Sequence, residues 1–109
     1  MPESNERGAL TEAVYYILLA LYTPMHGYGI MQYIKEISNG RVNLGPGTLY
    51  GAINTMLSKG WIKAMPNGVD SRKKEYEITE VGLSIVLEEI ERLEELISNG
   101  KKIARGDGN

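Results

Sequence analysis

Three observations predict a mainly α (α+β) fold for this chain of 109 residues. Apolar residues recur at helical spacing in four stretches. Two short strand-like runs, WIKAMP and KKEYEI, flank the turn-rich segment NGVDSR between the third and fourth stretches. Proline or glycine punctuates most of the junctions. The implied order is α-α-(short β)-α-β-β-α, that of a winged helix-turn-helix with one added C-terminal helix.

Each element has its own local cause. Residues 9–22 make a first helix, capped by Thr11 or a neighbour, apolar on all sides, and ended by Pro24. Residues 27–38 make a second, with Ile30, Ile34 and Ile37 at helical spacing and Ser-Asn-Gly as its stop. Arg41–Leu44 is a short extended piece. Gly45-Pro46 opens the third helix, since proline suits a first turn, and Gly60 ends it after about Lys59. In KKEYEI, Tyr76 and Ile78 share one face and Glu75 and Glu77 the other, so two short strands form a hairpin around a basic loop. Thr79 caps a fourth helix, with Glu80 in its positive first turn. That helix runs to about Ser98, where Asn99-Gly100 ends it and KKIARGDGN follows as a disordered tail. The organisation expected is therefore a winged helix-turn-helix DNA-binding domain over 1–78, a dimerisation helix over 79–99 and a tail over 100–109.

Composition narrows the functional classes. With 42% hydrophobic and 24% charged residues the chain is ordinary for a soluble globular domain. It has no cysteine and a single histidine, His26, so neither a disulfide framework nor a thiolate metal site is available. His26 reads as a turn or surface residue. Gly27-Tyr28-Gly29 follows no strand and lacks phosphate-loop spacing, so it reads as a tight lead-in to the second helix. The longest apolar run, residues 13–22, is too short to span a bilayer, and MPESNER does not open like a signal peptide. A cytoplasmic protein without metal, cofactor or enzymatic activity is expected. The net charge of −2 is unevenly spread: residues 41–78 carry +3 and residues 79–99 carry −5. Such asymmetry suggests two faces with different partners.

The third helix carries the functional signal. At 100° per residue, Leu49, Ile53, Met56 and Leu57 share one face, while Gly47, Gly51, Asn54, Thr55 and Ser58 share the other. Thr48 and Tyr50 lie on the flanks. A face meant only for water carries Lys and Glu; small polar residues instead let a rigid surface approach closely. The DNA major groove admits such a helix, and so does a helix of another protein. Arg72, Lys73 and Lys74 on the following hairpin favour DNA, because a wing that touches phosphate needs cations. Tyr28 and Tyr50 flank the same surface, where phenols can donate to phosphates or pack between helices. Trp61 reads as packing at the foot of the wing.

The fourth helix places Val86, Ile90, Leu93 and Ile97 in one stripe, extended by Leu83 and widened by Ile85 and Leu96. A helix at a chain end has little domain left to cover such a stripe, so a second copy is its expected partner. Glu88, Glu91 and Glu95 form a solvated side.

Together, GYGIMQYI, NGRVNLGPGTLYGAINTMLSKGWI and RKKEYEITEVG resemble the PadR family of bacterial transcriptional regulators over roughly residues 11–97. The elements Tyr28-Gly29, Pro46-Gly47-Thr48-Leu49-Tyr50 and Tyr76-x-x-Thr79-x-x-Gly82 carry the likeness. The resemblance implies a homodimeric repressor of the short subgroup, whose single C-terminal helix dimerises, bound to double-stranded operator DNA and often released by a small molecule. Short members that bind planar drugs use a tryptophan on the fourth helix; this chain has Leu93 at or near that place. Tyr15 and Tyr16, beside Leu93 of a second copy, would line an apolar effector space. A MarR- or ArsR-like regulator is the near alternative. A protein-interaction module that keeps the scaffold without DNA binding is the rival from another class.

Overall fold

The computed structural model describes residues 8–66 and 74–106. It is a winged helix-turn-helix built from α1 (Glu12–Ala20), β1 (Met25–His26), α2 (Gly27–Ile37), α3 (Pro46–Ser58), β2 (Ile62–Ala64), β3 (Glu75–Ile78) and α4 (Glu80–Ala104). The core is one cluster. Ile17, Leu18 and Leu21 meet Ile30 and Ile34 of α2, Leu49, Ile53 and Met56 of α3, and Ile85 and Val86 of α4. Burying each such side chain contributes about 1.5–3 kcal/mol before the entropy of ordering it is charged against the gain.

Three helices begin on side-chain caps. Thr11 Oγ1 accepts the Val14 N–H at 3.1 Å, His26 Nδ1 accepts that of Gly29 at 3.2 Å, and Thr79 Oγ1 that of Gly82 at 3.1 Å. His26 is thus the N-cap of α2 rather than a bare surface residue. α3 has no side-chain cap; Pro46 at its first position supplies the pre-set φ instead. It ends in a Schellman turn. Gly60 has φ +76°, its N–H reaches Leu57 O at 3.1 Å, and the Trp61 N–H reaches Met56 O at 3.0 Å. The turn after α2 is held by buried Ser38. Its hydroxyl donates to Ile34 O at 2.8 Å and accepts the Val42 N–H at 3.0 Å.

The sheet has the order β1-β3-β2, antiparallel throughout, with Met25 opposite Tyr76 and Ile62 opposite Ile78. The first short strand is therefore Met25–His26, not Arg41–Leu44, which forms the irregular link into α3. Two residues carry no periodicity; what makes them a strand is the free edge of β3. Tyr76 and Ile78 are buried, as their alternation predicts.

Three helix boundaries differ from expectation, the first being the start of α1, at Glu12 after its Thr11 cap rather than at residue 9. α1 stops at Ala20: the Leu21 N–H still closes the last helical bond, to Ile17 O, but Leu21 leaves helical ψ and the Tyr22 N–H reaches back only three residues, to Leu19 O. α4 continues through Asn99-Gly100 to Ala104, making 25 residues, or about 37 Å at 1.5 Å per residue. Its left-handed stop is Gly106, at φ +70°, and Lys101 and Lys102 oppose the negative end of the helix dipole. Residues 100–104, expected in a disordered tail, are thus helical. The first half of α4 packs on α1 and β3, burying Gly82, Ile85, Val86 and Glu89, while every described residue from Glu94 onward is exposed.

Candidate nucleic-acid interface

α3 divides as its periodicity predicts. Leu49, Ile53 and Met56 are buried; Gly47, Thr48, Gly51, Asn54, Thr55 and Ser58 are exposed together on the outer side. Among the described residues, no close contact from another element requires the glycines there, although Gly51 borders a groove with Leu10 and Val14 of the chain around the start of α1. A Cβ built at Gly47 or Gly51 has no described atom within 4 Å, and neither residue has a left-handed φ. Gly27 and Gly82 contrast with them: a Cβ at Gly82 would lie 2.3 Å from Trp61 O. The Thr55 hydroxyl donates back to Gly51 O at 3.2 Å, so at rest its proton stays on its own helix.

Tyr28 stands 65% exposed on the first turn of α2. Tyr50 is 42% exposed, but its hydroxyl end leans against Gly27. Burial first, and then the nearby Tyr50, push the Tyr76 phenol above its ordinary pKa. The two tyrosines thus differ: Tyr28 projects outward, and Tyr50 is partly held within the fold.

On the wing, Lys74 is exposed at the head of β3, whereas Arg72 and Lys73 lie outside the described residues. Lys63 of β2 sits 3.9 Å from Glu77 across the strand pair. Sequence reasoning passed over Lys59, whose ammonium stacks 5.3 Å from the centre of the Trp61 ring at the end of α3. It also passed over Arg41, in the link between α2 and α3. Arg41 forks onto both carboxylate oxygens of Glu12, with Nη1 donating to Oε1 at 3.0 Å. This hydrogen bonding, and then the charge of Glu12, raise the Arg41 pKa, with a lesser share from Tyr16. The Glu12 carboxyl is held below its usual value by the same bond.

The proposed dimer stripe splits in two. Val86 is fully buried within its own protomer, where α1 and β3 pack on this part of α4, so it has almost no surface to offer a partner. Leu83, Ile90 and Leu93 are half-buried, Leu83 and Ile90 against the core. Ile97 is exposed, and so are Leu96 and Ile103. One residue of the inner stripe is charged: Glu89, only 2% exposed, accepts hydrogen bonds from Arg92 Nε at 3.0 Å and from Nη2. The spacing contained that signal, since Glu89 follows Ile85 by four residues and Val86 by three. Tyr15 leans toward this carboxylate; burial first and the Glu89 charge second raise its pKa. Tyr16 lies beside Arg41 instead, so the structure sends the two proposed effector tyrosines to different neighbours. Among the described residues no group of three acidic or histidine side chains is placed to hold a metal ion. None of the described helices is long and apolar enough to cross a membrane.

The model of the transcriptional regulator PadR-like family matches residues 16–89, ending where α4 begins to leave the body of the fold. A transcriptional regulator from Clostridium thermocellum is similar in structure: TM-score 0.74 at 24% identity, covering 94% of this chain and 97% of that one. A PadR family transcriptional regulator from Eggerthella lenta has TM-score 0.69 at 23% identity, over 84% and 80% of the two chains. RosR of H. salinarum has TM-score 0.64 at 22% identity, over 83% and 92%. No curated protein matches the sequence. With the family model spanning most of the chain and the winged helix-turn-helix in place, this protein belongs to the PadR-like family of transcriptional regulators.

Proposed function

We propose that the protein is a homodimeric, sequence-specific DNA-binding repressor that acts in the cytoplasm on an inverted-repeat operator. The observation that carries this reading is the outer face of α3. Among the described residues, no contact beyond their own helix requires its glycines, and they keep a 13-residue helix bare enough for close approach. Thr48, Asn54, Thr55 and Ser58 then offer short polar groups to base edges. Tyr28, Lys74 and the wing residues Arg72 and Lys73 supply phosphate contacts around them. The exposed end of α4, with Leu96 and Ile97 and the half-buried Leu93 before them, pairs with a second copy. Two copies of α3 so joined call for half-sites about 34–36 Å apart, one turn of DNA centre to centre. A small hydrophobic effector would enter between Tyr15 of α1 in one copy and Leu93 of α4 in the other, and shift the spacing of the two α3 helices.

Mobility shift with DNA from just upstream of the protein's own gene tests this reading. Lys74→Ala should weaken all sequences alike and reduce the log–log salt slope by about 0.9 for each phosphate that the lysine neutralises. Asn54→Ala should instead change which operator is preferred. A Lys74 variant that alters base preference at an unchanged salt slope would reverse these roles. Absence of any shift would favour a protein-interaction module.

A further inference from the structure

Gly27 and Tyr50 meet at the joint between α2 and α3. Gly27 is buried at the first position of α2, directly after the His26 cap and the two-residue strand β1. A Cβ built there would lie 2.1 Å from the Tyr50 hydroxyl oxygen and 2.7 Å from Cζ, far inside any real contact. The next atom, Leu49 Cδ2, is 3.4 Å away, which is ordinary van der Waals distance. The missing side chain of Gly27 therefore forms a slot for one group only, the end of the Tyr50 phenol. No left-handed φ requires glycine at this position.

We propose that Gly27 and Tyr50 are a positioning pair: the slot at Gly27 seats the Tyr50 phenol and so fixes how α3 is presented to DNA. This rests on the DNA-binding reading above. Tyr50 follows Leu49, whose side chain is fully buried, so one turn of α3 is held twice, by the core beneath and by the phenol at its flank. Tyr76 of β3, whose phenol is pushed above its ordinary pKa by burial first and by the nearby Tyr50 second, brings the root of the wing to the same joint. Tyr50 thereby acts through placement of the helix, and Gly27 acts through Tyr50.

The pair makes a prediction of sign. In the natural chain Gly27→Ala forces the phenol out of its slot, so both the unfolding midpoint and operator affinity fall, affinity by roughly tenfold, the equivalent of one good contact. With Tyr50→Ala already in place, both of the close contacts are gone, and the next atom, Leu49 Cδ2, lies at a comfortable distance. Alanine there restricts the unfolded chain and favours the helix. Gly27→Ala should then raise the midpoint and leave affinity unchanged. Thermal unfolding and operator titration of all four proteins, natural, two single and one double variant, complete the test. Reversal of sign in the midpoint, together with loss of the affinity effect in the Tyr50→Ala background, is the expected result. Equal effects in both backgrounds would overturn the pair. So would a Gly27→Ala protein that binds operator like the natural chain, since the slot would then be packing alone. A natural chain that binds no DNA would overturn the functional reading, and with it the claim of presentation; the unfolding cycle would still decide whether the slot exists.

Discussion

Ile97→Glu is expected to leave the fold intact, convert the protein to monomers at micromolar concentration, and lower operator affinity by roughly 10²–10⁴-fold. Ile97 is 57% exposed and lies beyond the last turn of α4 that packs on its own protomer, so a carboxylate there should cost the isolated chain little. In a dimer the same position lies within an apolar stripe that includes Leu93 and Leu96. Two glutamates facing each other across the two-fold axis would then be desolvated without a partner. Affinity falls with assembly because two α3 helices bound through one dimer share a single loss of translational freedom. Ile90→Glu is a poorer probe, since Ile90 packs partly against its own core. Sedimentation together with far-ultraviolet dichroism measures the outcome. A variant that stays dimeric would place the interface elsewhere.

Gly82→Ala should lower stability by about 2–4 kcal/mol, combining overpacking with weakened hydrogen bonds. The new methyl would sit 2.3 Å from Trp61 O and 2.6 Å from Ile78 Cγ1. Trp61 O is backbone and already accepts the Thr79 N–H at 3.0 Å, so relief requires α4 to move away from the foot of the wing. For a domain of this size each kcal/mol corresponds to about 4–8 °C in the midpoint, so thermal unfolding should show a large fall. Helix propensity alone predicts the opposite, because alanine is favoured over glycine by about 1 kcal/mol inside a helix. A midpoint that rises would mean that α4 and the wing are not in close contact at this point.

The parts of the fold that the sequence made legible are those in which local chemistry and tertiary packing agree. α3 is one: Pro46, the 49/53/56 spacing and Gly60 each act within the element itself. Thr79 and the alternation in β3 are others. β1 was not legible, since Met25–His26 is a strand only by virtue of Tyr76 and Glu75 beside it. The end of α4 was misplaced because Asn99-Gly100 has the composition of a stop, while the left-handed residue that ends the helix is Gly106. Periodicity gave the α4 stripe but not what covers it; α1 and β3 take Val86, and only the distal turns remain for a partner. Glu89 was overlooked for a related reason. A charged residue suggests water, yet its phase with Ile85 places it inside, where Arg92 answers it. The close approaches at Gly27 and Gly82 depend on residues distant in sequence, and no local pattern marks them.

Gly51→Leu tests the central claim most directly. Position 51 is exposed on the outer face of α3 at the edge of an open groove beside Leu10 and Val14, and beyond its own helix no described atom lies within 4 Å of an added Cβ, so a leucine can turn its isobutyl group outward or into the groove and improves helix propensity. The measurement is fluorescence-anisotropy titration of operator DNA beside thermal unfolding of the same preparation. The account predicts an unchanged or raised midpoint and loss of specific binding, because the isobutyl group occupies the space into which the major-groove wall must come. Operator affinity equal to that of the natural chain would contradict it, and would mean that the small-residue face of α3 is not the surface that meets DNA.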